Sequence, residues 1–344
     1  MITSSAVRTP SAERAGVSRL QPSFRLVESL DPGLAAVRLA HDTLGLDAPW
    51  SLREGRGFTS RASGLTQRVW SEPGHVDGVV TRYRLHAEID VVRELADPAG
   101  ALATANTLNG LGSLGVLVVD PLRGRVTQRV SAWVDAGSLE RVAPLFAMAV
   151  ALGVSESARV AQLLAHAGRG TIDRSQHPGA SARIHDEDRL DFDRLAAAAG
   201  RDPSRWADGS LLTASDELGQ SMTARRVVAS DHAFSMPIPF GADVAYLQAT
   251  TTEAHPILGH GLTVRLSLPV DATERADPAT AAELNRLELG SWSRTHLLGA
   301  WVASSDRIDH LTFYPNLAHR GDADTLDILR CDIRRAYWAA GVLG

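Results

Sequence analysis

One side of the strands predicted in the first half of the chain carries a set of arginine and tryptophan residues. Residues 79–90 alternate in polarity, which predicts a strand with a single buried face. The same alternation puts seven residues on polar strand faces: Arg68, Trp70, Arg82, Arg84, Arg125, Arg129 and Trp133. Guanidinium groups form forked hydrogen bonds to carboxylates, and tryptophan offers rigid apolar contact area. The set predicts a binding surface for an extended acidic peptide.

A second interpretation of these residues stays open. Solvated strand faces commonly carry arginine, and the guanidinium groups have potential ion-pair partners in Glu72, Glu88 and Asp120. On this interpretation the face is an ordinary surface, and the charges compensate one another without a ligand.

Motifs for catalysis, cofactors and metals do not occur in a suitable context. The pattern Gly110-x-Gly112-x-x-Gly115 follows a predicted helix and precedes a predicted strand, the reverse of the dinucleotide-binding order, so it indicates a helix end and a turn. There is no His-Glu-x-x-His and no Gly-x-Ser-x-Gly. We therefore predict no cofactor, no metal and no catalytic residue. His296, Asp309 and His310 near the last predicted hairpin leave open a motif-poor hydrolase or transferase with its site between the two halves.

The elements that position these residues follow from local signals. Asp31-Pro32 and Asp97-Pro98 predict helix starts, because aspartate caps a helix and proline suits its first turn. Strands are predicted over 51–60, 64–72 and 79–90, and over 114–120 and 125–134 around a turn-rich tetrapeptide. An apolar stripe that begins after Ser138 predicts the closing helix. The resulting order is α-β-β-β-α-β-β-α.

The second half of the chain repeats this order. Ala96-Asp97-Pro98-Ala99 recurs as Ala276-Asp277-Pro278-Ala279, with a helix predicted after each. Shorter matches flank the two copies: Arg84-Leu85 with Arg265-Leu266, Asn106-x-Leu108 with Asn285-x-Leu287, and Leu114-Gly115 with Leu298-Gly299. The predicted fold is therefore α+β, with two tandem units that each pack an antiparallel sheet against helices and are related by a pseudo-two-fold axis.

Composition shifts suggest the boundaries of these units. We predict a disordered tail over 1–20, a first domain over 21–167, a linker over 168–186 and a second domain over 187–344. The second domain is predicted to begin with a helix over 190–199 and to hold an insertion near 211–240. Within that insertion, Met236-Pro237-Ile238-Pro239 is incompatible with a central strand.

This order of elements resembles the fold shared by type III secretion chaperones and YbjN-like proteins. The resemblance covers both halves, through the paired asparagines of the middle helices, the glycines at Gly115 and Gly299, and the amphipathic closing helices. It implies a non-catalytic chaperone or adaptor that holds an extended segment of a client protein. It also implies that the chain is either a monomeric pseudo-dimer or a homodimer. A structural subunit of a larger complex is a further alternative.

Composition and charge are consistent with that expectation. The formal net charge is −5, which gives no reason to expect a nucleic-acid partner. The apolar run 142–154 is shorter than a membrane-spanning helix requires, and arginines interrupt the N-terminal residues where a signal peptide would be apolar. We therefore predict a cytoplasmic protein that does not insert into membranes.

Overall fold

The computed structural model of the chain is a mixed α+β fold. It describes residues 31–45, 51–61, 64–112, 114–175, 206, 209–221, 227–255, 259–269, 276–290, 298–304, 306–315 and 322–343. These residues form six α-helices and two antiparallel sheets. The predicted tail over 1–20 and the predicted helix over 190–199 lie outside the described residues.

The first sheet is built from residues 51–172. Its elements, with the three helices of this half, are α1 (Pro32–Thr43), β1 (Ser51–Glu54), β2 (Gly57–Ser60), β3 (Gln67–Ser71), β4 (His75–Asp77), β5 (Val80–Arg93), α2 (Pro98–Asn109), β6 (Val116–Asp120), β7 (Arg125–Val134), α3 (Leu139–Ala167) and β8 (Thr171–Ile172). The strand order is β1-β2-β3-β5-β7-β6, and β4 and β8 pair with the two ends of β5. Helices α1 and α3 pack against each other and against this sheet.

The second sheet has six strands. Its elements and helices are α4 (Ser210–Ser221), β9 (Val228–Ala229), β10 (Ala233–Phe240), β11 (Asp243–Thr250), β12 (Gly261–Pro269), α5 (Pro278–Gly290), β13 (Ala300–Ala303), β14 (Arg307–Pro315) and α6 (Asp322–Leu343). The strand order is β13-β14-β12-β11-β10-β9. Helices α4 and α6 pack against each other, and both contact β10.

The Asp-Pro pairs begin helices as predicted. The Asp31 and Asp97 Oδ1 atoms each accept a hydrogen bond at 2.9 Å from the backbone N–H three residues later, and Asp277 Oδ1 accepts one from the N–H of Ala279 at 2.9 Å. Each proline occupies the first turn, where its missing N–H has no partner to lose. At each of these three helix starts, an adjacent aspartate and proline thus determine where the helix begins.

One predicted strand is wrong. Residues 51–60 form the hairpin β1–β2, in which Glu54 pairs with Gly57. The chain reverses at Gly55, whose φ of +52° lies in the left-handed region that glycine adopts without strain. Four strands plus the short β4 therefore precede α2, instead of three.

The predicted linker and insertion both contain parts of the sheets. Residues Thr171–Ile172 of the predicted linker form β8 and pair with β5, and residues 176–186 lie outside the described residues. The segment near 211–240 contains most of α4, then β9 and β10. Strand β10 pairs with β11 along its length but with β9 only through Phe234 and Ser235, so Pro237 and Pro239 lie on a sheet edge among the described residues.

One hydrophobic core is shared by the two sheets. Most buried apolar residues of both halves belong to one cluster, and residues from Asp31 onward form one compact unit. A small second cluster of Val116, Val118 and Ala300 also contains residues of both halves. Helix α2 contacts α5 and β13, while α5 contacts β6. Each middle helix therefore touches the edge strand of the opposite half.

Among the described residues, α3 alone is long and apolar enough to cross a membrane by length and composition. In the fold 56% of its most apolar window is buried, against α1 and the first sheet.

Candidate functional site

The polar face of the first sheet holds three of the predicted arginines around two carboxylates. Arg68, Glu88 and Arg129 are direct cross-strand neighbours on β3, β5 and β7. Arg68 Nη2 donates to Glu88 Oε1 and to Asp90 Oδ2, both at 2.8 Å, and Arg129 Nη2 lies 3.0 Å from Glu88 Oε2. Arg125 Nη1 lies 3.6 Å from Asp90 Oδ1. We name Arg68, Glu88, Asp90, Arg125 and Arg129 the face cluster.

The face cluster combines both interpretations of the sequence. Its arginines are ion-paired within the sheet, and counted over these five residues three cations face two anions, a surplus of one positive charge. Asp120 and Asp173 lie near enough to act on Arg129 and Asp90 as well. Burial raises the pKa of Asp90 even though Arg68 opposes the shift, and burial lowers the pKa of Arg129. Arg68 keeps 43% of its side chain exposed, so it is the cation of the cluster most accessible to a ligand.

Trp70 lies beside the face cluster in an ordered stack. Its ring is parallel to that of the cross-strand neighbour His86, with centroids 4.9 Å apart and 18° between the planes. His86 Nε2 lies 2.9 Å from Glu72 Oε1, and this hydrogen bond lowers the pKa of Glu72. The stack fixes the indole ring next to the surplus positive charge, on a half-buried position.

Arg84 has a different environment from the other predicted arginines, because it is 5% exposed. Its Nη2 donates to the carbonyl oxygens of Glu288, at 3.1 Å, and of Leu289, near the C-terminus of α5. Its Nε donates to Ser131 Oγ at 3.1 Å, and its guanidinium carbon lies 5.5 Å from the centroid of the Trp133 ring. Burial lowers the pKa of this arginine. Arg84 therefore joins the two halves.

Arg82 and Trp133 line a cleft between the halves. The cleft has a volume of about 290 Å³ and lies between the end of the first sheet, the start of α3 and the outer side of α6. Its other lining residues are Asp135, Ser138, Arg141, Val142, Leu145, Leu298, Tyr314, Asp327, Ile328, Arg330, Cys331 and Arg334. We name this cavity the interhalf cleft. Of its arginines and aromatic residues, strand alternation predicted Arg82 and Trp133. The others come from helices or from the second half of the chain.

A fully buried polar cluster in the second half was missed by the sequence analysis. Glu288 of α5 accepts hydrogen bonds from Trp301 Nε1 at 2.8 Å and from Arg335 Nε at 2.9 Å. Arg335 also donates to Asp332 Oδ1 on α6, and His310 Nδ1 on β14 lies 3.6 Å from that oxygen. These side chains are at most 1% exposed. No local signal separates them from ordinary helix and strand polar residues; only the packing of α5, α6 and β14 brings them together.

The electrostatics of this cluster follow from burial. Burial raises the pKa of Asp332 to about 6, against the opposing effect of Arg335. Burial and the Arg335 charge lower the pKa of His310 well below its ordinary value. His310 and its sequence neighbour Asp309 pair with Leu266 and Ser267, so they face opposite sides of the sheet and do not converge. His296 lies outside the described residues.

Metal ligation has no support among the described residues, which contain no group of three histidine, cysteine, aspartate or glutamate side chains that could hold an ion. Comparison with known proteins gives no relative: no family model, no curated protein and no solved structure matches the chain.

Proposed function

We propose that the chain is a non-catalytic chaperone-like or adaptor-like protein that binds an extended acidic segment of a client protein. The observation that carries this proposal is the surplus positive charge of the face cluster beside the fixed Trp70 ring. An acidic residue of the client would share Arg68, and a neighbouring apolar residue would contact the indole. The resemblance to YbjN-like proteins and type III secretion chaperones implies an extended segment of another protein as the ligand, and the arginines supply the preference for acidic residues.

The proposal includes two related units joined in one chain, so that a single copy acts as a pseudo-dimer. The strand orders support it: read from the edge strand after each middle helix, β6-β7-β5-β3-β2-β1 corresponds to β13-β14-β12-β11-β10-β9. The reciprocal contacts of α2 and α5 with the opposite edge strands also favour an approximate two-fold relation. Within this proposal α4, not the segment 190–199, is the counterpart of α1. The residues near 211–240 then have counterparts in the first half, and they no longer form an insertion.

Asparagine contacts support the same correspondence with one change in alignment. Asn109 of α2 donates to and accepts from the backbone of Leu117, and Asn285 of α5 does the same with Trp301. Asn109, rather than the Asn106 matched by sequence, therefore takes the position of Asn285. Asn106 bonds to Ala303 of the opposite half instead.

Selection from a random displayed library of twelve-residue peptides tests the proposed ligand class. We expect enrichment of peptides with several Asp or Glu residues and at least one large apolar residue. A selected peptide should bind the Trp70→Ala and Arg68→Gln variants about five- to tenfold more weakly than the wild type, because each variant removes an anchor or a charge-assisted hydrogen bond.

Arg93→Gln is the matched control for Arg68→Gln. Arg93 is also a half-exposed, ion-paired arginine of the first sheet, but it lies outside the face cluster, at the C-terminal end of β5, and pairs with Asp173. Its removal should leave peptide affinity within twofold. Enrichment without acidic residues, or equal losses in the Arg68 and Arg93 variants, would contradict the proposed site.

A further inference from the structure

The interhalf cleft is lined by both arginines and apolar side chains. Arg82 comes from β5, Arg141 from α3, and Arg330 and Arg334 from α6, so three elements of both halves direct guanidinium groups to one cavity. Two aspartates, Asp135 and Asp327, lie among the same lining residues. Among the lining residues that the structure describes, four cations against two anions favour a negatively charged occupant.

Ion pairs decide which of these arginines is available. Arg82 Nη1 lies 3.0 Å from Asp77 Oδ2 and its Nε lies 3.7 Å from Asp135 Oδ2, and Arg141 is paired with Asp327. Arg330 Nη1 lies 4.0 Å from Asp327 Oδ1, and Arg330 Nη2 lies 3.9 Å from Glu217 Oε2. Arg334, one turn further along α6, forms no ion pair with any residue that the structure describes. It supplies the uncompensated charge of the cleft.

The cleft also has an apolar and partly aromatic lining. Trp133, Leu145, Leu298, Tyr314 and Ile328 line it. Burial raises the pKa of Tyr314 well above its ordinary value, so the phenol is neutral and adds no negative charge. Arg84 lies over the Trp133 ring and restricts its orientation. A volume of about 290 Å³ exceeds what a bare inorganic anion fills, and it approaches the lower size of small-molecule sites.

We propose that the interhalf cleft is a binding site for a small organic anion, a carboxylate or phosphate monoester attached to a flat or branched apolar group. The anionic group bonds to Arg334 with support from Arg141 and Arg330, and the apolar group lies against Trp133 and Leu145. This site is separate from the peptide surface at Trp70 and Arg68, so it does not depend on the proposed function. Because both halves form its walls, bound ligand also links α3 to α6.

Fluorescence titration with 1-anilinonaphthalene-8-sulfonate tests the proposal on the full chain. This probe combines an anionic sulfonate with an aromatic body and becomes bright in apolar sites. We expect saturable binding of one equivalent, and displacement by phenylacetate or phenyl phosphate. The two competitors separate a carboxylate from a phosphate preference. Neutral benzyl alcohol and inorganic phosphate should fail to displace the probe at equal concentration, because each lacks one half of the ligand.

Arg334→Met and Arg265→Met form the matched pair of variants. Arg265 is also an exposed arginine without an ion pair among the described residues, but it lies on β12 outside the cleft. The Arg334 variant should weaken probe binding about five- to tenfold, and the Arg265 variant less than twofold. Cys331, the only cysteine, lines the cleft and gives an independent readout: phenylacetate or phenyl phosphate should slow its reaction with N-ethylmaleimide.

Three results would overturn the site. The first is an absence of saturable probe binding in the wild type. The second is equal affinity loss in the two variants while both retain the wild-type circular dichroism spectrum and melting temperature. The third is displacement by benzyl alcohol or by inorganic phosphate as effective as displacement by the organic anions.

Discussion

Asp332 is the residue whose surroundings have the clearest energetic consequence. It is buried beside Arg335 and His310, close to Glu288, and its pKa is raised from 3.8 to about 6. Between pH 4 and pH 6 the folded chain therefore keeps a proton on this carboxyl that the unfolded chain has lost. Stability from this group is present at low pH, falls as the pH rises through that window, and is fully lost above about pH 6.

Replacement of Asp332 by asparagine should stabilise the protein in a pH-dependent manner. The variant cannot ionise, so its free energy of unfolding should exceed that of the wild type by about 1–3 kcal/mol at pH 8, and the difference should shrink toward zero at pH 4. Urea unfolding of both proteins across this range measures the difference.

Asp327→Asn serves as the control on the same helix. Asp327 is half-exposed and pairs with Arg141, so its replacement should be neutral or slightly destabilising at every pH. If the free energies of unfolding of Asp332→Asn and the wild type differed by the same amount from pH 4 to pH 8, the proposed rise in the pKa of Asp332 would be contradicted.

At the scale of elements, asparagines of the two middle helices complete the edge strands. The Asn285 side chain donates to the Trp301 carbonyl at 2.9 Å and accepts from the Trp301 N–H at 2.8 Å, so it acts as a neighbouring strand would. Asn109 does this for Leu117 with distances of 3.0 and 2.8 Å. Both asparagines are buried, and water cannot replace them.

Asn285→Ala should therefore cost about 2–4 kcal/mol of stability, because it leaves two buried backbone groups without a partner. Asn106→Ala removes the same pair of bonds from Ala303, but at a partly buried site that water can reach, so its loss should be clearly smaller. Chemical denaturation of the two variants measures this difference. A loss for Asn106→Ala as large as that for Asn285→Ala would contradict the role of burial.

Elements with one dominant local cause were predictable from the sequence. The hairpin strand Arg125–Val134 and the starts of α1, α2 and α5 match their predictions, because turn residues and Asp-Pro caps act within a few positions. The β1–β2 hairpin was not predicted, because the residues on both sides of Gly55 are similarly polar and the sequence shows no break between two strands there. Strand β8 was missed because two residues carry no periodic signal.

The candidate sites were predictable only within single strands. Strand alternation correctly placed Arg68 and Arg129 on one face. It could not show that Arg84 bonds to carbonyl groups 204 and 205 residues away, nor that α6 supplies arginines to a cleft beside Trp133. Those contacts depend on how two sheets pack, and no short sequence window contains that information.

At the scale of the whole molecule, Arg84 couples the two halves. It is a buried cation on β5 of the first sheet whose acceptors belong to α5 of the second half. The backbone N–H of Gly299 also donates to the Leu114 carbonyl at 3.0 Å, so edge regions of both sheets share hydrogen bonds. The halves should therefore unfold in one transition.

Arg84→Met tests this coupling. Loss of the charge-assisted bonds should lower the free energy of unfolding by about 1–3 kcal/mol, and amide hydrogen exchange should accelerate to a similar extent in α3 and in α6. Arg93→Met, which alters an exposed pair within the first half, should change neither helix measurably. Faster exchange confined to α3 after the Arg84 change would indicate two independently unfolding halves.

The prolines of β10 have a consequence for the behaviour of the protein at high concentration. Pro237 and Pro239 occupy alternate positions of a strand whose other side pairs with β11, so both remove amide donors from the same open edge. A strand from a second molecule would find too few donors there to form a ladder. Among the residues that the structure describes, this edge of the second sheet should therefore resist pairing with the sheet of another molecule.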